Sequence, residues 1–309
     1  MWSREHQHNN EQLGHRRICL HNERRFPAFF VADACFSRST ILHHIAFIND
    51  VAYNTGQGYS INDCGYNSGT PGNGIDYWAV VGSIAANASQ DVICLAAIDY
   101  VAPANSDNNP AAHTYLVGNW SYDNRYGSGC PYDGEGMMLD TLDAHGYKGQ
   151  IVVRDNIIYR SGLYGLQLFF QNKSQGAATI YIYQNTLYGN MAQPGNIGGG
   201  PQGEINYQSN GSGGASPWIV TIHSNIVQST WKTQAGQAGY AGILPLVLGT
   251  SSKPPGLTIG GTGIENVFKG LNTGTCLPWT CEPSDGVVNT YTISHTKKAD
   301  TPKEKETMV

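Results

Sequence analysis

The chain has 309 residues, 40% of them hydrophobic and 13% charged, with a net charge of −5, which is enough apolar material to bury a large core in one domain that folds as a monomer. It has no dense Lys/Arg stripe and no apolar run of bilayer length, so nucleic acid and membrane are excluded as expected partners. The 38 glycines, joined by many Asn, Ser and Thr, favour frequent turns over long helices.

In chain order, residues 1–39 open on MWSREHQHNNEQLGHRR, polar and basic, with no apolar core of a signal peptide behind it. This segment lacks the pattern that follows and is expected to be either an irregular cap or a lost or mis-called start. From residue 40 to residue 294, short β-rich runs recur at a period of roughly 30 to 40 residues, which predicts one repeat domain. Residues 295–309, HTKKADTPKEKETMV, carry charge and proline with little to bury, and are expected to be disordered. The seven cysteines have no zinc-module spacing. Cys276 with Cys281, and Cys64 with Cys94, could form disulfides in an oxidising compartment, and buried free thiols fit equally well.

The repeat aligns HIAFINDVAYN, YWAVVGSIAAN, TYLVGNWSYDN, VVRDNIIYRS, IYIYQNTLYGN and VTIHSNIVQST, each an alternating run broken by a polar residue and then resumed. Asn49, Gly82, Asn119, Asn156, Asn185 and Asn225 mark the break. Asn54, Asn87, Asn124, Ser161, Asn190 and Thr230 follow, always at the same offset. Like residues above like residues are what stacked parallel strands need, because Asn side chains at a bend hydrogen-bond along the stack. Antiparallel sheets have no such need.

Further strands are predicted at GYSIN from Gly58, DVICLAAI from Asp91, GMMLD from Gly136, YGLQLFF from Tyr164 and GEINYQ from Gly203. Loops of variable length, such as Asn67–Asn73, Pro103–Pro110 and Met191–Gln202, can project without disturbing the stack and wall a groove. The predicted fold is all-β, a right-handed parallel β-helix of about six or more coils with asparagine ladders.

The segment YDGEGMMLDTLDAHGYKGQIVVRDNIIYRSGLYGLQ, within coils running from Ile41 to Thr230, resembles the pectate-lyase-like right-handed β-helix superfamily. That resemblance implies the fold, and a function among uronate lyases, glycoside hydrolases, epimerases and non-enzymatic adhesins. The paired aspartates and Gly-His-Gly of polygalacturonases are absent, which disfavours that branch.

Positions three and five before the first column are mostly apolar (Val153 and Ile151, Ile182 and Ile180, Ile222 and Val220) and should face the core, so positions two and four face outward. The outward columns then read Phe47, Val80, Val117, Arg154, Tyr183, His223 and Ile45, Trp78, Tyr115, Val152, Tyr181, Thr221. Trp78, Tyr115, Tyr181, Tyr183 and His223 become the expected substrate-binding residues, since ring faces suit pyranose C–H groups and Arg154 suits a carboxylate. Rings also favour strands without binding anything.

Titratable residues concentrate at Asp133, Glu135, Asp140, Asp143, His145 and Lys148, just ahead of Arg154. In a polysaccharide lyase, Asp133, Glu135, Asp140 and Asp143 could hold Ca²⁺ against a uronate carboxylate while Lys148 or Arg154 removes the α proton. In a glycoside hydrolase, Glu204 would pair with Asp140 or a neighbouring carboxylate about two rungs, or roughly 9.6 Å, away. A solvated turn, with Asp143 paired to Lys148, would use the same residues without catalysis. The leading expectation is a lyase that cleaves an acidic polysaccharide by β-elimination, secreted or at the cell surface although no signal peptide is seen. A glycoside hydrolase or a non-catalytic glycan-binding adhesin is the alternative.

Overall fold

The computed structural model describes residues 28–33, 42–62, 75–90, 96–102, 109, 111–126, 134–142, 147–170, 178–192, 202–209, 218–228, 243–249 and 254–269. Among them all regular structure is β-strand, arranged in three sheets of seven strands and one two-stranded pair. Sheet one stacks Ala28–Asp33, Gln57–Asn62, Ile98–Val101, Met137–Leu142, Leu166–Phe170, Gln202–Ser209 and Ile243–Gly249. Sheet two stacks Leu42–Ile48, Ile75–Val81, Ala112–Val117, Gln150–Arg154, Thr179–Tyr183, Ile219–His223 and Leu257–Ile259. Sheet three holds three-residue strands, from Val51–Tyr53 to Val267–Lys269.

The chain visits sheets two, three and one in turn, and successive coils pair in parallel: Gln150–Arg154 on Thr179–Tyr183, Ile157–Tyr159 on Thr186–Tyr188, Leu166–Phe170 on Gln202–Ser209. This is a parallel β-solenoid. Its core is the space enclosed by the sheets, filled by stacked Ile151, Ile180 and Val220 from sheet two, Ile158, Leu187 and Val227 from sheet three, and Leu166, Leu168 and Ile205 from sheet one. The first segment, read as irregular, contributes Ala28–Asp33 as an edge strand on Gln57–Asn62. The strand expected from Asp91 is described only from Ile98. The cysteines, the charged tail and most of the variable loops lie outside the described residues.

The ladder sits one residue away from the predicted column in the first two coils. Gly82 is level with Asn49, and Ser83 donates its backbone N–H to Asn119 Oδ1 at 3.0 Å, so the stacked position is Asp50, Ser83, Asn119, Asn156, Asn185, Asn225 and Asn266. Asn49 and Gly82 are the residues before it, exposed and left-handed, with φ of 56° and 61°. Asn is among the few residues that adopt this conformation at little cost, so an Asn next to a bend fits either position. Asn119, Asn156, Asn185 and Asn225, each no more than 1% exposed, make the regular ladder about four turns long rather than six.

Each of these asparagines works in two directions. Asn156 Oδ1 accepts from the Asn119 backbone N–H at 2.9 Å, and Asn156 Nδ2 donates to Leu116 O at 2.8 Å. Water is excluded from the bend, yet its backbone groups stay paired.

A second ladder lies five residues on, at Ala88, Asn124, Ser161 and Asn190, again preceded by left-handed residues: Asn87, Asp123, Arg160 and Gly189. Its last acceptor comes from sheet one. Glu204 aligns with Gly58, Ala97, Gly136 and Gly165, four successive rungs kept small where the chain leaves the bend. A Cβ on Gly165 would lie 2.6 Å from Asn190 Nδ2. Above Asn190 the row carries a long polar side chain instead, and Glu204 Oε2 accepts there from Asn190 Nδ2 at 2.6 Å and from its N–H at 3.2 Å.

At the start of sheet two the rungs carry a bulge. His44 and Tyr77 have positive φ, and His113 is the extra residue where the register shifts. Their rings stack, His44 on Tyr77 at 4.6 Å and Tyr77 on His113 at 4.1 Å, and the His113 ring lies 2.9 Å from Asp76 Oδ1. Asp76 also accepts from the Tyr77 N–H, so one carboxylate holds both the bulged backbone and the imidazole.

Candidate functional site

Two outward faces carry chemistry. On sheet two, Tyr115, Val152, Tyr181 and Thr221 form one outward column and Val117, Arg154, Tyr183 and His223 the next. Tyr115 is 40% exposed, and the Arg154 side chain, equally open, forms an ion pair with Asp155. The Tyr183 and His223 rings stack at 5.1 Å and 7°. Stacking along the solenoid consumes ring faces, so this pair turns edges outward, with a phenol hydroxyl and an imidazole as hydrogen-bonding groups. Tyr115 and Tyr181 are two rungs apart, about 9.6 Å, with Val152 between them, which leaves space for a sugar face to lie against a ring.

Trp78 does not belong to this face. It is level with Ile45 and Thr114, fully buried, and stacked on Tyr100 at 5.5 Å inside the solenoid. The one-residue displacement of the ladder is the cause: side chains alternate, so a shift by one sends Trp78 and Val80 inward.

Of the acidic segment, only Glu135 and Asp140 are among the described residues. Asp133 and Asp143 lie outside the described residues. Glu135 is sealed at the corner before Met137–Leu142, whereas Asp140 lies near the end of that strand. The strand from Met137 to Asp140 alone spans about 10 Å, and ligands of one Ca²⁺ must each approach to about 2.5 Å, so these two do not converge on one ion. Among the described residues no three His, Cys, Asp or Glu side chains are placed to hold a metal. Lys148 is exposed at the corner leading into sheet two, and Arg154 is at the far end of the strand it enters, on a different sheet from Asp140. Of the groups expected in one lyase site, Lys148 and Arg154 thus lie at sheet two and Asp140 on sheet one.

Glu204 is also misplaced for a hydrolase. It is two strands from Met137–Leu142 in sheet one, as expected, but points into the solenoid and is fully buried. Burial pushes its carboxyl up to about 8, against the opposing effect of the Asn190 hydrogen bonds. It is a neutral ladder cap.

Sheet one has an outward column that sequence reasoning missed: Ser60, Asp99, Met138, Gln167 and Asn206. All are no more than 8% exposed, although they point away from the core. Gln167 Nε2 donates to Gln208 Oε1 at 2.9 Å on this face. Asp140, two residues beyond Met138, shares the face and is partly exposed. One rung and two residues separate Asp99 from Asp140, a diagonal of about 8 Å. The signal was a lone carboxylate alternating with Ile98 and Tyr100.

No family model, curated protein or solved structure matches this chain.

Proposed function

We propose that this solenoid is a carbohydrate-active β-helix of the pectate-lyase-like kind, and that it holds an acidic, uronate-containing glycan along the outer face of sheet two. The observation that supports this is the column Arg154, Tyr183, His223 on successive rungs, flanked by Tyr115 and Tyr181. A guanidinium next to hydroxyl and imidazole edges suits carboxylates and hydroxyls repeated along a polymer. The pairing with Asp155 keeps the Arg154 guanidinium charged, so this arginine meets the uronate carboxylate as a cation, through the donors that Asp155 leaves open, and does not act as a base. Lys148 lies beyond the other end of Gln150–Arg154, about 13 Å of strand away, so it does not take the α proton of a uronate held by Arg154.

The test is binding to immobilised polygalacturonate, together with the ultraviolet absorbance of unsaturated uronate, with and without a chelator. Arg154→Gln should weaken binding about tenfold, the loss of one charge-assisted contact. Unchanged binding would remove the proposal's main support. Absorbance that the chelator abolishes would bring a divalent cation into the reaction.

A further inference from the structure

The outer face of sheet three takes no part in the site described above, yet it is the most openly apolar surface described. Val51, Tyr53, Trp120, Tyr188 and Ile226 are each about half exposed there. The strands are three residues long, so the face is a strip about 10 Å wide and, over six rung intervals, about 29 Å long. That is roughly 290 Å², well below the 800 Å² or so that each partner of a stable complex buries. A second copy of the chain is therefore poorly matched to this strip, and one extended polymer is well matched.

The strip has a charged margin. Arg160 Nε lies 2.9 Å from Asp123 Oδ1, with Arg125 Nη2 4.0 Å from the same oxygen, and Arg125 Nη1 donates to Arg160 O at 2.8 Å. Two guanidiniums against one carboxylate leave excess positive charge beside the tyrosines. The rings divide the work: Tyr122 and Tyr159 stack on each other at 4.9 Å and present edges, whereas Trp120 lies between Ile84 and Ile157 and has no ring over its face.

We propose that this strip binds a single extended uronate-containing glycan chain along the solenoid axis, with sugar rings on Trp120 and carboxylates against Arg125 and Arg160. This deepens the glycan reading above and rests on it. It makes sheet three a second contact for the same class of polymer, separate from the column around Arg154.

The experiment uses the full chain and immobilised polygalacturonate, with a neutral glucan as control, and compares wild type, Trp120→Ala, Arg160→Gln and Arg154→Gln. These residues are at the surface, and melting curves matching wild type verify each fold. Trp120→Ala and Arg160→Gln should each weaken polygalacturonate binding about three- to tenfold without affecting the glucan signal. Added to Arg154→Gln, either should multiply the loss. If only Arg154→Gln weakens binding, the sheet-three site is wrong while the sheet-two proposal stands. If wild type binds no polyuronate, both fall. Sedimentation supplies a further check: a dimer that Trp120→Ala dissociates would make a second copy the occupant and overturn the proposal.

Discussion

Asn156→Val should be the most damaging conservative substitution in the solenoid, lowering the unfolding free energy by about 2 to 5 kcal/mol in urea titrations. Asn156 is wholly buried in the middle of the first ladder, and its side chain serves both neighbouring coils. Valine has a similar volume but no polar group, so the cost is electrostatic. The Asn119 backbone N–H loses its acceptor and Leu116 O loses a donor. Each buried group stranded in this way costs roughly 1 to 3 kcal/mol. The control is Asn49→Gly. Asn49 has a positive φ and an exposed side chain, so glycine should be neutral within error there. Equal losses at both positions would restore Asn49 to the ladder and undo the corrected register.

The second large effect is a pH dependence originating in Glu204. Its carboxyl titrates near 8 in the folded chain, against 4.5 for the free group, because it is buried in the core. Below about 4.5 it is protonated in both states and contributes no slope. Between about 4.5 and 8 the unfolded chain loses this proton while the folded chain keeps it, so stability falls as pH rises. Above that window the difference is constant. The slope is about 1.4 kcal/mol per pH unit at most, and the total is on the order of 5 kcal/mol. Glu204→Gln keeps an oxygen for Asn190 and has no proton to lose, so it should flatten this window and leave the variant more stable than wild type above it. A wild-type profile already flat there would mean that Glu204 is solvated, as a hydrolase carboxylate would have to be.

The architecture was legible from the repeat because stacking imposes a strong demand: residues at a sealed bend must satisfy each other's backbone, and Asn does so compactly. The register of the first two coils was not legible, for a reason specific to Asn. At Asn119 and Asn156 it is the buried ladder residue, whereas at Asn49 and Asn87 it is the exposed left-handed residue before it, and sequence alone does not separate the two uses. Trp78 inherited that error. Arg154, Tyr183 and His223 were read correctly as outward because their coils have the common register. Glu204 was misread because a carboxylate in a strand suggests a surface, and its inward role depends on Asn190, a residue in another sheet. Asp99 escaped notice because its column is polar yet shielded, a condition that alternation alone does not reveal.

The two bends of each coil are separated by an invariant five residues, from Asn119 to Asn124, from Asn156 to Ser161 and from Asn185 to Asn190, and this divides the chain into segments with unequal freedom to change length. A single-residue deletion in Trp120–Tyr122 would remove one ladder from alignment and reverse the facing of everything up to the next corner. Extra residues between sheet one and sheet two enter outside both of the described ladders. Lineages descended from this chain should therefore vary in length at that corner and keep constant length across sheet three, and a peptide grafted for display belongs at the same corner.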